Sequence, residues 1–99
     1  MEGSKKTIEY QVKFTEIALA DIARLDVKIK KRIFDKIKWV AENHDSITHH
    51  PLKHLPEDLK GLRKRREGDY RILYWSYPDK KVIVIYSVIH RKSEYEILR

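Results

Sequence analysis

From Ile8 to Phe14 the chain alternates, with Ile8, Tyr10, Val12 and Phe14 on one side and Glu9, Gln11 and Lys13 on the other. That period of two predicts a half-buried strand. The period then lengthens. Ala18, Ile22 and Leu25 fall on one side of a helix that Thr15 can cap, with Glu16 suited to its positive first turn. Asp26 can cap a second helix, in which Ile29, Ile33, Ile37 and Val40 or Ala41 make an apolar stripe. Lys28, Lys30, Lys31, Arg32, Lys36 and Lys38 crowd its other surfaces, a basic and solvated face.

Residues 43 to 51 break this helix, since Pro51 disfavours helix at His50. Residues 52 to 61 predict irregular chain or a short edge strand. Three strand-like runs follow, 62–67, 70–77 and 81–91, separated by turns at Gly68-Asp69 and Pro78-Asp79. The last run, VIVIYSVI, is almost wholly apolar, as in a strand covered on both faces. KSEYEILR ends the chain as a tail or single helical turn. The order predicts one α+β domain over residues 8–99, a helical hairpin packed on a curved antiparallel sheet, preceded by a flexible stretch at 1–7.

Alternation also sorts side chains by face. Leu62, Lys64 and Arg66 share one face of their run, and Arg63, Arg65 and Glu67 the other. Arg71 lies with Leu73, Trp75 and Tyr77, while Ile83, Ile85, Ser87, Ile89 and Arg91 line up together. Adjacent strands would gather Lys64, Arg66, Arg71 and Arg91 on one concave surface. Like charges so close repel within a Debye length of about 8 Å, so the cluster calls for an anion. Phosphate suits the forked guanidinium. Tyr95 follows Arg91 by four residues; nearby cations would lower a phenol pKa from about 10, making it a usable general base.

Composition narrows the classes. Ninety-nine residues make one domain, and the lack of cysteine excludes disulfides and thiolate metal sites while fitting a reducing, cytoplasmic setting. No run is long and apolar enough to span a membrane, and the N-terminus has no apolar secretory core. The net charge of +7 is uneven: ten cations oppose eight anions in residues 1–50, and twelve oppose seven in the remainder. RKRR at residues 63–66 is the densest run. Such an excess favours nucleic acid or an acidic protein. His44, His49, His50 and His54 cluster, but Pro51 breaks the only helical spacing among them, so loop histidines are expected rather than a metal site. No glycine-rich phosphate loop, Ser/His/Asp order or paired carboxylate stands out, and no cofactor is expected.

The stretch GLRKRREGDYRILYWSYPDKKVIVIYSVIHRKSEY, with IEYQVKF, ALADIARLD and LKHLPEDLKGL upstream, resembles the RelE/ParE toxin superfamily. Its most specific parts are the GDYR turn and strand and the V-I-H-R-x-x-x-Y ending. The resemblance implies the RelE-like α+β fold and, for RelE-type members, a ribosome-dependent endoribonuclease that cuts mRNA in the A site without a metal, through attack of the ribose 2′-OH on the neighbouring phosphate. It also implies that Arg71 holds the scissile phosphate, Arg91 assists the leaving group, and Tyr95 stacks on a base or takes the proton. Lys64 and Arg66 complete the catalytic set, with Lys53, His54, Arg63 and Arg65 as further RNA contacts. Leu62 stands where such enzymes carry another lysine, which leaves the base open between Tyr95 and another group. ParE-type members poison DNA gyrase instead, and a non-catalytic RNA-binding module would use the same patch. The implied partners are a cognate antitoxin and a 70S-type ribosome with mRNA, and the hairpin's apolar stripe and the terminal EILR are the expected antitoxin docking surfaces.

Overall fold

A computed structural model describes residues 9–94. The expected flexible stretch 1–7, Ile8, Tyr95 and the terminal EILR lie outside the described residues. The order is β1 (Gln11–Phe14), α1 (Glu16–Ala23), α2 (Val27–Asn43), β2 (His50–Pro51), β3 (Arg63–Glu67), β4 (Tyr70–Tyr77) and β5 (Val82–His90), with single 3-10 turns at His44–Ser46, Glu57–Leu59 and Arg91–Ser93. The strands form one five-stranded sheet in the order β1-β5-β4-β3-β2. The sheet is mixed: β1 runs parallel to β5, and the other neighbours are antiparallel.

Both helix starts follow from local chemistry. The Thr15 hydroxyl accepts from the Ala18 N–H (3.1 Å) and the Asp26 carboxylate from the Ile29 N–H (3.1 Å), each satisfying an otherwise orphaned donor. Ala18 and Ile22 of α1 and Ile33, Ile37, Val40 and Ala41 of α2 are buried against Tyr10, Ile72, Tyr74, Ile83, Ile85 and Val88 of the sheet. The α2 stripe is therefore core, which removes it as an antitoxin docking surface. The large apolar side chains that stay exposed on the hairpin are Ile17, Leu19, Val27, Phe34 and Trp39.

The opposite face of the sheet carries a smaller core of Leu59, Leu62 and Leu73, with Leu52, Leu55, Trp75, Tyr86 and Ile89 packed around it. Residues 52 to 62 wrap over this face. Gly61 makes the wrap possible: its φ of +90° is left-handed, and a Cβ there would stand 3.5 Å from the Trp75 ring. The Trp75 Nε1–H donates to the Lys60 carbonyl at 2.9 Å, closing the loop.

Strict alternation fails once. The β4–β5 register jumps from Leu73 opposite Ser87 to Tyr74 opposite Ile85, so Tyr86 is an extra residue, a β-bulge. Ile83 and Ile85 consequently face the helices with Val88, while Ile89 faces the second core. The expected alignment of Ile83, Ile85 and Ile89 on one face is corrected accordingly. α1 clamps the bulge: the Thr15 hydroxyl donates to the Tyr86 carbonyl (2.7 Å), and the Asp21 carboxylate accepts from Ser87 Oγ (2.6 Å) and the Val88 N–H (3.0 Å).

Candidate active site

The β3–β4 hairpin sets the frame. Gly68, at φ +59°, opens its two-residue turn. In the ladder Arg66 stands opposite Arg71 and Lys64 opposite Leu73, and directly opposed residues share a face. Lys64, Arg66 and Arg71 therefore emerge together on the face away from the helices, beside Leu62 and Leu73.

Arg71 is 8% exposed. Its Nη1 donates to the carbonyls of Gly68 (3.2 Å) and Tyr70 (3.0 Å), so the turn itself orients the guanidinium. Its Nε lies 3.3 Å from the Glu94 Oε1, yet the alignment is too poor for a hydrogen bond, and this buried nitrogen has no partner among the described residues. The other Glu94 oxygen, Oε2, accepts a hydrogen bond from Lys64 Nζ. Lys64, and after it Arg71, hold the Glu94 carboxyl below the usual range for a glutamate, against the opposing effect of its partial burial.

Arg91 follows β5 and begins the 3-10 turn. Its N–H donates to the Asp69 carbonyl at 2.7 Å, and its Nε lies 3.4 Å from the Asp69 carboxylate, an exposed pair. The turn that holds Arg71 thus anchors Arg91 as well. Arg66 is exposed and lines a cleft of about 480 Å³ with Lys36, His50, Lys64 and Arg65. The cleft lies at the outer edge of the sheet, where β2 pairs only with Arg63 and Lys64 of β3.

The other expected contacts are dispersed. Lys53 and His54 are exposed on the wrapping segment, and His54 adopts φ 59°. Arg63 stands opposite Tyr74 on the helix side of the sheet. Arg65 hydrogen-bonds to the Thr48 carbonyl and lies 5.5 Å from the Trp39 ring centroid, which ties it to the helix layer. Glu67, on that side too, pairs with Arg32 and Lys36 of α2.

Two histidines expected on the loop surface are internal. His44 is 6% exposed, stacked between Tyr10 and His49 with ring centroids 4.0 Å from each, and its Nε2 meets Ser76 Oγ at 2.8 Å. His49 bridges the Tyr74 hydroxyl (2.6 Å) and the His44 carbonyl (2.7 Å). Among the described residues no three His, Cys, Asp or Glu side chains gather where they could hold a metal ion, and no helix is long and apolar enough to cross a membrane. Glu94 is the residue that sequence reasoning passed over. Its signal was its place as the only acid between the strand-end arginine and the tyrosine in RKSEY.

A family model described as the ParE toxin of the type II toxin-antitoxin system parDE matches residues 12–95. No curated protein sequence matches the chain. Among solved structures, the chain is similar to a protein of the RelBE2 toxin-antitoxin complex from Mycobacterium tuberculosis, with 27% identity over 89% of this chain and 98% of that one and a TM-score of 0.71. The isolated RelE toxin of E. coli shares the fold at 23% identity, 88% and 95% coverage and a TM-score of 0.65. So does a protein of the chromosomal ParDE system of P. aeruginosa, at 16%, 83% and 96%, and 0.63. With the helical hairpin, the five-stranded sheet and a family match over most of its length, the chain belongs to the RelE/ParE family of type II toxin-antitoxin toxins.

Proposed function

We propose that the chain is a ribosome-dependent endoribonuclease that cuts mRNA in the A site and is silenced by a cognate antitoxin. The observation that carries this reading is Arg71: a nearly buried guanidinium beside Lys64, fixed by two turn carbonyls, with a buried Nε that has no hydrogen-bond partner among the described residues. Such a preorganised cation stabilises charge that develops on a phosphorane and needs no reorganisation during reaction. In the reaction the ribose 2′-oxygen bonds to phosphorus as the bond to the 5′-oxygen breaks, giving a 2′,3′-cyclic phosphate and a 5′-hydroxyl. Arg71 and Lys64 bind the scissile phosphate. Arg91 stabilises the leaving oxygen, which takes a proton from that arginine or from water to become the 5′-hydroxyl, and Tyr95 is the proposed group for the 2′ proton or for stacking on the base. The basic cleft through Arg66 and His50 accepts neighbouring phosphates of the same strand, with Lys53, His54 and Arg63 as outer contacts.

The RelBE complexes from M. tuberculosis and E. coli are toxin-antitoxin pairs, which supports a cognate antitoxin here. Exposed Val27, Phe34 and Trp39 on α2 offer it apolar anchors. The second reading, a gyrase poison, has the matched ParE family model in its favour. One paired assay separates them. Purified protein on programmed ribosomes should cleave mRNA at the A site with no metal added beyond the magnesium that the ribosomes need; gyrase-linked DNA breaks without mRNA cleavage would select the second reading.

A further inference from the structure

Glu94 stands where an anion would bind. Its two carboxylate oxygens divide between the cations, Oε2 to Lys64 and Oε1 towards Arg71. Two oxygens of a phosphate would make the same bridge. The occupancy is imperfect, because Arg71 Nε keeps no hydrogen bond among the described residues despite its burial, and an unmet buried donor is costly. Glu94 also lies outside the sheet. It ends the Arg91–Ser93 turn, its N–H donates to the Arg91 carbonyl, and it follows the last sheet residue by only four positions. Its side chain can therefore leave the two cations without breaking any β4–β5 ladder pair, which ends at His90 opposite Tyr70.

We propose that Glu94 is an internal gate, a carboxylate that occupies the phosphate position between Lys64 and Arg71 and is displaced by the substrate. At rest the site is partly self-neutralised, so a stray phosphate or a loose RNA must compete with a tethered anion at high effective concentration. A strand held in the cleft by several other phosphates brings enough binding energy to displace Glu94. The gate therefore selects an anchored substrate over free anions. The inference rests on the nuclease reading for the identity of the phosphate but not for the competition itself.

The test titrates inorganic phosphate at low salt while following the Arg71 Nε–H resonance, in the unaltered protein and in Glu94→Gln. The variant should bind phosphate about tenfold more tightly, the usual size of one charge-assisted hydrogen bond. Equal or weaker binding overturns the gate, as does loss of mRNA cleavage with unchanged phosphate affinity, which would make Glu94 a catalytic group. A merely structural tether would lower the unfolding temperature and leave phosphate affinity unmoved. Should Glu94→Gln fold poorly, the unaltered protein still decides: saturating phosphate should shift the Glu94 carboxyl carbon signal, and no shift at saturation sinks the proposal. Tighter phosphate binding in the variant, with no mRNA cleavage by either protein, keeps the gate and removes the nuclease reading.

Discussion

Arg71 is held by hydrogen bonds that a lysine cannot reproduce. Nη1 is committed to the Gly68 and Tyr70 carbonyls, and the rest of the planar fork is thereby aimed at the anion position. A lysine ammonium has three donors at one point and cannot serve the turn and the phosphate from separate edges. Arg71→Lys should therefore lose mRNA cleavage by about 100-fold or more, as when one transition-state donor is removed. Binding to the ribosome should change little, because the exposed cleft residues are untouched. Single-turnover cleavage on programmed ribosomes measures the first, and co-sedimentation the second. Undiminished cleavage would take Arg71 out of the reaction. Lys64→Ala poses the complementary case: it leaves Glu94 without its hydrogen-bond donor, and the Glu94 carboxyl should move back towards the ordinary glutamate range, readable by carbon-detected pH titration.

Among the elements, β5 shows where sequence reading stops. The helix caps at Thr15 and Asp26, the α2 stripe and the β3 alternation were legible because each rests on a local pattern that sterics and hydrogen bonding enforce. VIVIYSVI offers no alternation, so nothing in it marks Tyr86 as the extra residue. The bulge is fixed from outside the strand, by Thr15 and Asp21 of a helix more than sixty residues away in sequence. For the same reason the parallel pairing of β1 with β5 was not legible. At the site, the facing of Lys64, Arg66 and Arg71 was readable from period two, whereas the return of Glu94 depends on the 3-10 turn after His90. The internal histidines were missed because their partners, Tyr10, Ser76 and Tyr74, lie far away in sequence. The clamp gives an element-scale prediction. Asp21→Ala leaves the Val88 N–H and the Ser87 hydroxyl without their acceptor, costing about 1–3 kcal/mol for an unmet buried group. Urea unfolding should show that loss, while Asp21→Asn, which keeps one acceptor oxygen, should lose less.

On the scale of the whole molecule, the two faces of the sheet divide the labour: one is closed by the helices, and the other gathers Lys64 and Arg71 around the Glu94 carboxylate. His49 lies at the seam between the helix layer and β4, and it makes the closed face sensitive to pH. Its Nε2–H donates to the His44 carbonyl, so its Nδ1 must accept from the Tyr74 hydroxyl. Burial also raises the Tyr74 pKa, which keeps that phenol a neutral donor. The neutral imidazole is fully satisfied, and its pKa is lowered from 6.5, first by burial, with the charges of Arg65 and Arg63 and the neighbouring His44 adding to it. Because the folded pKa lies below the unfolded one, stability is complete above about pH 6.5. As pH falls through that value the unfolded chain takes up the proton first, and stability is lost until the folded pKa is reached. Glu94 and Asp45 act in a lower window: their depressed pKa values add stability that is complete above the ordinary carboxylate range and is lost as pH falls from there through the folded values. Thermal unfolding should thus show a first decline that begins at about pH 6.5, ahead of the acid denaturation below it. His49→Gln, which can still accept and donate, should flatten the first decline and leave the second. A decline of the same slope in the variant would remove His49 as the group that reads mild acidity.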